Sequence, residues 1–279
     1  MDEKEQFSRL IGYFEKSRLG YDVALGGAKH FGFHPKGKKI NEKKAQALMQ
    51  DLVAKKLGLS AKDFALDAGC GQGVVAAFLA KNYGCRIEGI TMVPFEIDEA
   101  NNLAKKAGVM DKVHYSLMDY NKMNFEENHF DCIYTTETLS HSTDVRKTLK
   151  EFYRVLKKNG RIALFEYTIS DAEKLTAYER KMIARIAHGS AMDALKDFRH
   201  DKFQKMLKEA GFKKIQSENI SENTGPSLGR FRKYALLPYY LYVKPLGLQE
   251  KHPNISAAIE FYNMGKKGMI RYMIFTAIK

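Results

Sequence analysis

Cysteine is scarce in this chain. Only Cys70, Cys85 and Cys132 occur, an odd number, and no pair stands at CxxC or metal-ligand spacing. That argues against a disulfide framework and for a reducing compartment, and it offers no metal site. Long apolar runs are missing too: nothing approaches the roughly 18 consecutive apolar residues that mark a membrane span. The opening segment MDEKEQFSRLIGYFEKSR has no apolar signal core. The protein is therefore expected to be cytoplasmic, with peripheral membrane contact left open. Acidic residues are outnumbered, 33 against 46 Lys and Arg, for a formal net charge of +13. So basic a balance suits nucleic acid, an anionic membrane surface or an acidic ligand, and equally a Lys-rich solvated surface. The rest is ordinary for a globular protein: 44% hydrophobic and 28% charged residues in 279, enough for a sizeable core in one or two domains.

Residues 1–57 carry apolar positions at helical spacing, broken at the glycine-rich stretch 25–37. The texture changes at residue 63. DFALDAG (63–69) reads as a strand, VVAAFLAKN (74–82) as a helix and CRIEGIT (85–91) as a second strand. Pro94 suits the first turn of the next helix, where its missing N–H costs nothing. Strands follow at 113–119 and 130–136, then a helix from about Thr143 to Lys157 with Asn159-Gly160 as a stop signal. A strand at 161–167 is followed by a polar helical stretch over 171–200, a helix near 201–210, a strand near 212–218 and a last strand at 269–278. Gly, Pro and aromatics interrupt the pattern over 221–265. Strands alternating with helices predict an α/β fold, a parallel sheet with helices on both faces. The expected organisation is one domain over 1–279. Its core lies at about 58–170, 201–220 and 268–279, and its cap comes from about 1–57, 171–200 and 221–267.

The strongest motif is Asp67-Ala68-Gly69-Cys70-Gly71-Gln72-Gly73, which follows a strand and opens a helix. Glycines let the backbone approach a ligand, and a helix N-terminus favours polar or negative groups. A nicotinamide site requires GxGxxG with an acid at the end of the second strand. Here the third position of that pattern is Val74 and the second strand ends in Thr91, and both count against it. The same residues resemble the first motif of class I S-adenosylmethionine-dependent methyltransferases, in its DxGCGxG form. The resemblance implies a Rossmann-like methyltransferase sheet, with the methionine part of the cofactor over Gly69 and Gly71 and Asp67 near its amino group. Gly89-Ile90-Thr91 is similar to the second-strand ending of tocopherol-type and cyclopropane-synthase-type members, with Glu96 where they carry Gln. Asp119 sits where the family contacts the adenine amino group. The implied cofactor site is Asp67, Gly69, Cys70, Gly71, Gly73, Thr91, Met92, Glu96, Asp119, Tyr120 and Thr136.

Beyond the cofactor motif the chain resembles sterol C-methyltransferases and their small-molecule relatives. Tyr21-Asp22 through Gly26 and His30-Phe31-Gly32-Phe33-His34 resemble their substrate-site segment. Glu137-Thr138-Leu139-Ser140-His141, Phe165-Glu166-Tyr167 and Ile186-Ala187-His188-Gly189 resemble three later segments. Asp22, Tyr167 and His188 depart from the Glu, Trp and Glu of that family, and its longer acidic, Trp-containing segment near 221–240 is absent, which leaves a sterol acceptor open. The implied catalytic candidates are Glu137, His141, His188 and Tyr21, with no metal. Glu137 and His141, four apart, would share a face if that stretch were helical. LLPYYLYVKPLGL (236–248) suits a lid over an apolar substrate, a membrane contact or core packing.

The expected activity is methyl transfer from S-adenosylmethionine to a small apolar acceptor, on carbon of an isoprenoid- or sterol-like molecule. O- or N-methylation of a small natural product, an RNA methyltransferase and a non-catalytic cofactor-binding protein are the alternatives. Nucleic acid is not the expected partner: Thr135-Thr136-Glu137-Thr138 is not the Asn/Asp-Pro-Pro-aromatic run of base-amine methylation, and no RNA-binding motif is appended. The motif at 67–73 with a non-acidic Thr91 predicts binding of S-adenosylhomocysteine and not of NAD. Calorimetry tests this; micromolar NAD binding without S-adenosylhomocysteine binding would defeat the reading.

Overall fold

The computed structural model describes residues 3–25 and 28–279, without the side chains of residues 3, 19 and 21–24. Seven strands form one sheet: β1 (Phe64–Ala68), β2 (Arg86–Thr91), β3 (Val113–Leu117), β4 (Phe130–Thr136), β5 (Leu156–Ile169), β6 (Lys213–Asn219) and β7 (Ile270–Ile278). Their order is β3-β2-β1-β4-β5-β7-β6. The strands from β3 to β5 are parallel, and β7 runs antiparallel to both β5 and β6. The order reverses between β1 and β4, and ligands bind outside the carboxyl ends of strands at such a switch point.

Neighbouring residues of the central strands bury on opposite faces. Leu66, Ile133 and Leu164 pack with Leu149, Phe152 and Phe203 on one side. Ala65, Cys132 and Ala163 pack with Met49, Val53, Ala76 and Leu79 on the other. The parallel sheet is thus covered on both sides, which accounts for its unbroken apolar runs. All three cysteines are buried and free.

The helices are α1 (Glu3–Leu25), α2 (Glu42–Leu57), α3 (Val74–Tyr83), α4 (Pro94–Ala107), α5 (Val145–Val155), α6 (Ala177–Gly189), α7 (Phe203–Glu209), α8 (Ser221–Pro238) and α9 (Pro253–Lys266). Their ends follow local chemistry. Asn41 caps α2 by accepting from Lys44 N, Asp144 caps α5 through Lys147 N, and Thr176 and Glu179 form a capping box on α6. The stretch expected to be helical over 171–200 is α6 flanked by short 3₁₀ turns at 172–174 and 193–197.

Two boundaries differ from the sequence expectation. The helix expected to reach Lys157 stops at Val155, and β5 begins at Leu156 rather than 161. Leu156 pairs with Phe130, and the register then shifts so that Arg161 pairs with Cys132. Asn159, at φ 63°, turns the chain inside this irregularity, so the stop signal acts within the strand. The interruption over 221–265 is largely helical. Pro226 lies early in α8 and Pro238 is its last residue, where a π-turn, Tyr239–Val243, takes over.

The close approach of β2 to β3 makes Gly89 sensitive. A Cβ there would lie 2.6 Å from Tyr115 Cδ1 and 3.0 Å from Cys70 Cβ. Gly89→Ala is expected to cost about 1–3 kcal/mol through overpacking, read as a lower urea midpoint. An unchanged midpoint would mean that Tyr115 can shift at no cost.

Candidate active site

The chain leaves β1 through Asp67 and turns sharply: Gly69 N and Cys70 N both donate to Ile90 O at 2.9 Å. Gly69, at φ 96°, lies under Thr138, and a Cβ on it would fall 2.6 Å from Thr138 Cβ. Gly71, at φ 51°, is different. A Cβ there would meet only Glu96 Oε1 at 3.8 Å, because the residue faces an open cavity. Gly73 caps α3 beneath Tyr115 and does not line that cavity, whereas Gly69, Cys70 and Gly71 do.

Asp67 is buried, and neither of its oxygens has a hydrogen-bond partner among the described residues. Burial pushes its carboxyl up to about 7, and the Tyr134 hydroxyl on the adjacent strand pulls the other way. Thr91 Oγ1 donates to Glu96 Oε2 at 2.7 Å, and Lys29 Nζ donates to Oε1 at 2.5 Å. Thr91, Met92, Glu96 and Lys29 all line the cavity. The Lys29 ammonium also lies 4.6 Å from the Phe14 ring centroid. Tyr120, its hydroxyl 3.0 Å from Thr138 O, is in the wall, as is Thr136. Asp119 is not; its Oδ1 accepts from Asn121 N and Nδ2, both at 2.8 Å, and stabilises the turn after β3.

The exit of β4 is held by Glu166. Its Oε1 accepts from Thr135 Oγ1 at 2.7 Å, Leu139 N at 3.1 Å and Thr138 N at 3.2 Å. Complete burial pushes its carboxyl up to about 8 against those donors. Glu137 consequently adopts left-handed backbone, φ 63°, costly for a non-glycine residue. Its carboxylate turns into the cavity, where Oε1 accepts from Phe31 N at 2.8 Å and Tyr272 OH at 2.9 Å, and Oε2 from Tyr167 OH. Burial pushes it up to about 7, while the two phenols and Phe31 N favour its charge. Tyr167 and Tyr272 face each other as β5–β7 register partners, ring centroids 5.2 Å apart, and Phe31 packs against both.

His141 is in the cavity wall but does not share a helical face with Glu137. The two are separated by the left-handed residue and a single 3₁₀ turn, Leu139–His141. The His141 Nδ1–H donates to Ala191 O at 3.0 Å, which leaves Nε2 as the acceptor of the neutral ring. Burial lowers its pKa to about 4, so it is neutral at pH 7. His188 is not brought to the cavity. Its side chain is 48% exposed, 3.3 Å from Glu250 and beside Arg9, because the end of α6 turns it outward. The Tyr21 side chain lies outside the described residues. No residue of 236–248 lines the cavity. Tyr239 and Val243 are buried, Leu236 and Leu248 pack half-buried against that cluster, and Leu237, Leu241 and Leu246 face solvent, so the lid expectation does not hold. The cavity is covered instead by Leu10, Tyr13 and Phe14 of α1, by Lys29–Phe31, by Leu228 and Phe231 of α8, and by the start of α9. Lys29, Tyr272 and Phe231 were not marked by sequence. Tyr272 had no signal beyond its place in an apolar strand.

A family profile described as "Methyltransferase domain" matches residues 66–164. An S-adenosyl-L-methionine-dependent Diels-Alderase of Talaromyces variabilis is 34% identical over 250 residues, spanning 86% of this chain and 84% of that protein. The chain belongs to the class I S-adenosylmethionine-dependent methyltransferases. This methyltransferase is also 31% identical to the sterol 24-C-methyltransferase of Saccharomyces cerevisiae over 80% of its own length, which spans 59% of that relative. Among solved structures, a cyclopropane synthase from Mycobacterium tuberculosis superimposes with a TM-score of 0.80 at 15% identity, covering 98% of both chains.

The residues present fit the family's cofactor. Gly71 leaves open space in the cavity and Glu96 offers acceptors to hydroxyls there; Asp67, buried with neither oxygen partnered among the described residues, suits a ligand ammonium but does not itself line the cavity. If Asp67 is the partner of the cofactor's ammonium, as the family resemblance implies, only its ionised form pairs with it. Affinity for S-adenosylhomocysteine should therefore rise between about pH 6 and pH 8, with a slope approaching about tenfold per pH unit below the Asp67 pKa. Asp67→Asn is expected to flatten the profile. Calorimetry across that range measures it, and a flat wild-type profile would sever Asp67 from the ligand's charge.

Proposed function

We propose that the enzyme methylates a carbon of a small, largely apolar acceptor of isoprenoid or sterol-like character, with Glu137 as the proton acceptor. The observation that carries this reading is the Glu137 carboxylate, poised near neutrality by burial and held by two phenols in an aromatic-walled cavity. Its pKa of about 7 lies where a general base is both available and effective at neutral pH.

Asp67, Gly69, Cys70, Gly71, Thr91, Met92, Glu96, Tyr120 and Thr136 would hold S-adenosylmethionine, whose sulfonium supplies an electrophilic methyl group when bound. Phe31, Tyr167 and Phe231 supply ring faces beside the cation that an alkylated alkene becomes. Glu137 takes the proton whose loss restores neutrality. Tyr167 and Tyr272 keep its carboxylate in place and favour its ionised form. His141, neutral and anchored through Nδ1, gives the cavity one further acceptor. Helix α1 excludes water: Tyr13 OH donates to Asn254 Oδ1 at 2.6 Å, and Arg9 pairs with Asp193. The yeast relative, named for sterol 24-C methylation, supports transfer to carbon.

A second reading is favoured by the Talaromyces relative, which is named a Diels-Alderase. A partly protonated Glu137 and its phenols could polarise a carbonyl and accelerate a cyclisation without consuming the cofactor. The two readings differ in product: a heavier, labelled molecule or an isomer carrying no label.

With methyl-labelled cofactor and fractionated lipid and terpenoid extracts, label is expected on carbon. Glu137→Gln should keep S-adenosylhomocysteine affinity and lose about a hundredfold to ten-thousandfold in turnover. Label on oxygen or nitrogen overturns carbon methylation; label on carbon with full activity in Glu137→Gln overturns only the assigned base.

A further inference from the structure

Helix α8 has two unlike faces. Thr224, Ser227, Ala235 and, at its end, Tyr239 are buried, and Leu228 and Phe231 line the cavity. The opposite face carries Arg230, Lys233, Tyr234 and Leu237, and the π-turn and loop continue it with Tyr240, Leu241, Tyr242, Lys244 and Leu246. Leu237, Leu241 and Leu246 are 72%, 76% and 61% exposed, and the three tyrosines are about half exposed. Such a concentration of exposed large apolar side chains on one element marks an interaction surface. It is held out rigidly: Tyr239 OH and Tyr178 OH both donate to the buried Glu260, which pins the π-turn to α6 and α9.

The charge around these leucines identifies what they meet. From Asn223 to Gln249 there is no Asp or Glu, while Arg230, Lys233 and Lys244 are exposed. Lys244 Nζ lies 5.4 Å from the Tyr240 ring centroid, so cation and aromatic ring share one surface. A second copy docked by a two-fold axis would set these cations against their own equivalents. A nucleic acid would use the cations but leave the leucines unburied. An anionic bilayer uses both, taking the leucines below the headgroups with tyrosines and lysines at their level. Among the described residues no helix is long and apolar enough to cross a membrane, so the contact is with the surface.

We propose that the outer face of α8 with the Tyr239–Leu246 segment is a docking surface for an anionic lipid bilayer. The test is co-sedimentation of the full chain with vesicles of phosphatidylcholine alone and of an equimolar mixture with phosphatidylserine. Binding is expected to the mixed vesicles, at least about tenfold tighter than to phosphatidylcholine, and weakened by salt. Leu237→Asp with Leu241→Asp should lower it about tenfold or more, as should the milder pair Lys233→Gln and Lys244→Gln. Both pairs should keep the wild-type melting temperature and S-adenosylhomocysteine affinity. Three results would each overturn the proposal: no binding to mixed vesicles, or binding that neither pair weakens; a wild-type dimer that the leucine pair converts to monomer; or RNA binding stronger than vesicle binding and lost only in the lysine pair.

Discussion

One carboxylate oxygen organises the site. Glu166 Oε1 gathers the Thr135 hydroxyl and the N–H groups of Thr138 and Leu139, and so fixes the path of the chain as it leaves β4. Three features depend on that path. Glu137 is forced into left-handed backbone and points into the cavity. Thr138 is pressed onto Gly69, its hydroxyl donating to Ala68 O at 2.8 Å, which ties the β4 exit to the β1 turn. Leu139 starts the 3₁₀ turn that brings His141 under Tyr13 and Phe14. Both halves of the cavity, the glycine turn and the aromatic end, are thus registered to each other through one buried side chain.

The arrangement costs stability. Asp67, Glu137 and Glu166 are all buried, and burial raises them to about 7, about 7 and about 8. Each binds its proton more tightly in the folded chain than in the unfolded one. From the ordinary carboxylate range, near pH 4, up to about pH 7–8, the folded state therefore holds more protons, and stability declines as pH rises through that window. Two carboxyl groups half-way to ionisation at neutral pH and a third mostly protonated are a poor choice for a stable core and a good one for a site that must accept charge or protons.

The parts of this architecture readable from sequence were those set by short-range chemistry. Asp67 to Gly73 declared its turn because glycines at those intervals serve few other purposes, and Pro94 marked the start of α4. The parts that were not readable depend on which strand lies beside which. Tyr272 reaches Glu137 only because β7 pairs with β5 in a register that sets it opposite Tyr167, and no local pattern encodes that neighbour. Lys29 belongs to the loop before α2, and its partner Glu96 is far along the chain. His188 failed for a related reason: resemblance placed it at the right distance along the chain, but the end of α6 turns it to Glu250. Over 236–248 composition announced apolar contact without saying on which side.

The position of β7 bears on the order in which the enzyme assembles. β1 to β5 lie within residues 64–169 and can zip together as they leave the ribosome. β6 emerges next, before its neighbour in the finished sheet. Both β5 and β6 are antiparallel to β7, hence parallel to each other, so β6 can lay itself directly along the vacant edge of β5. β7, the last strand to be synthesised, must take the place between them, and until it does Glu137 lacks the Tyr272 hydroxyl and the cavity lacks Ile270.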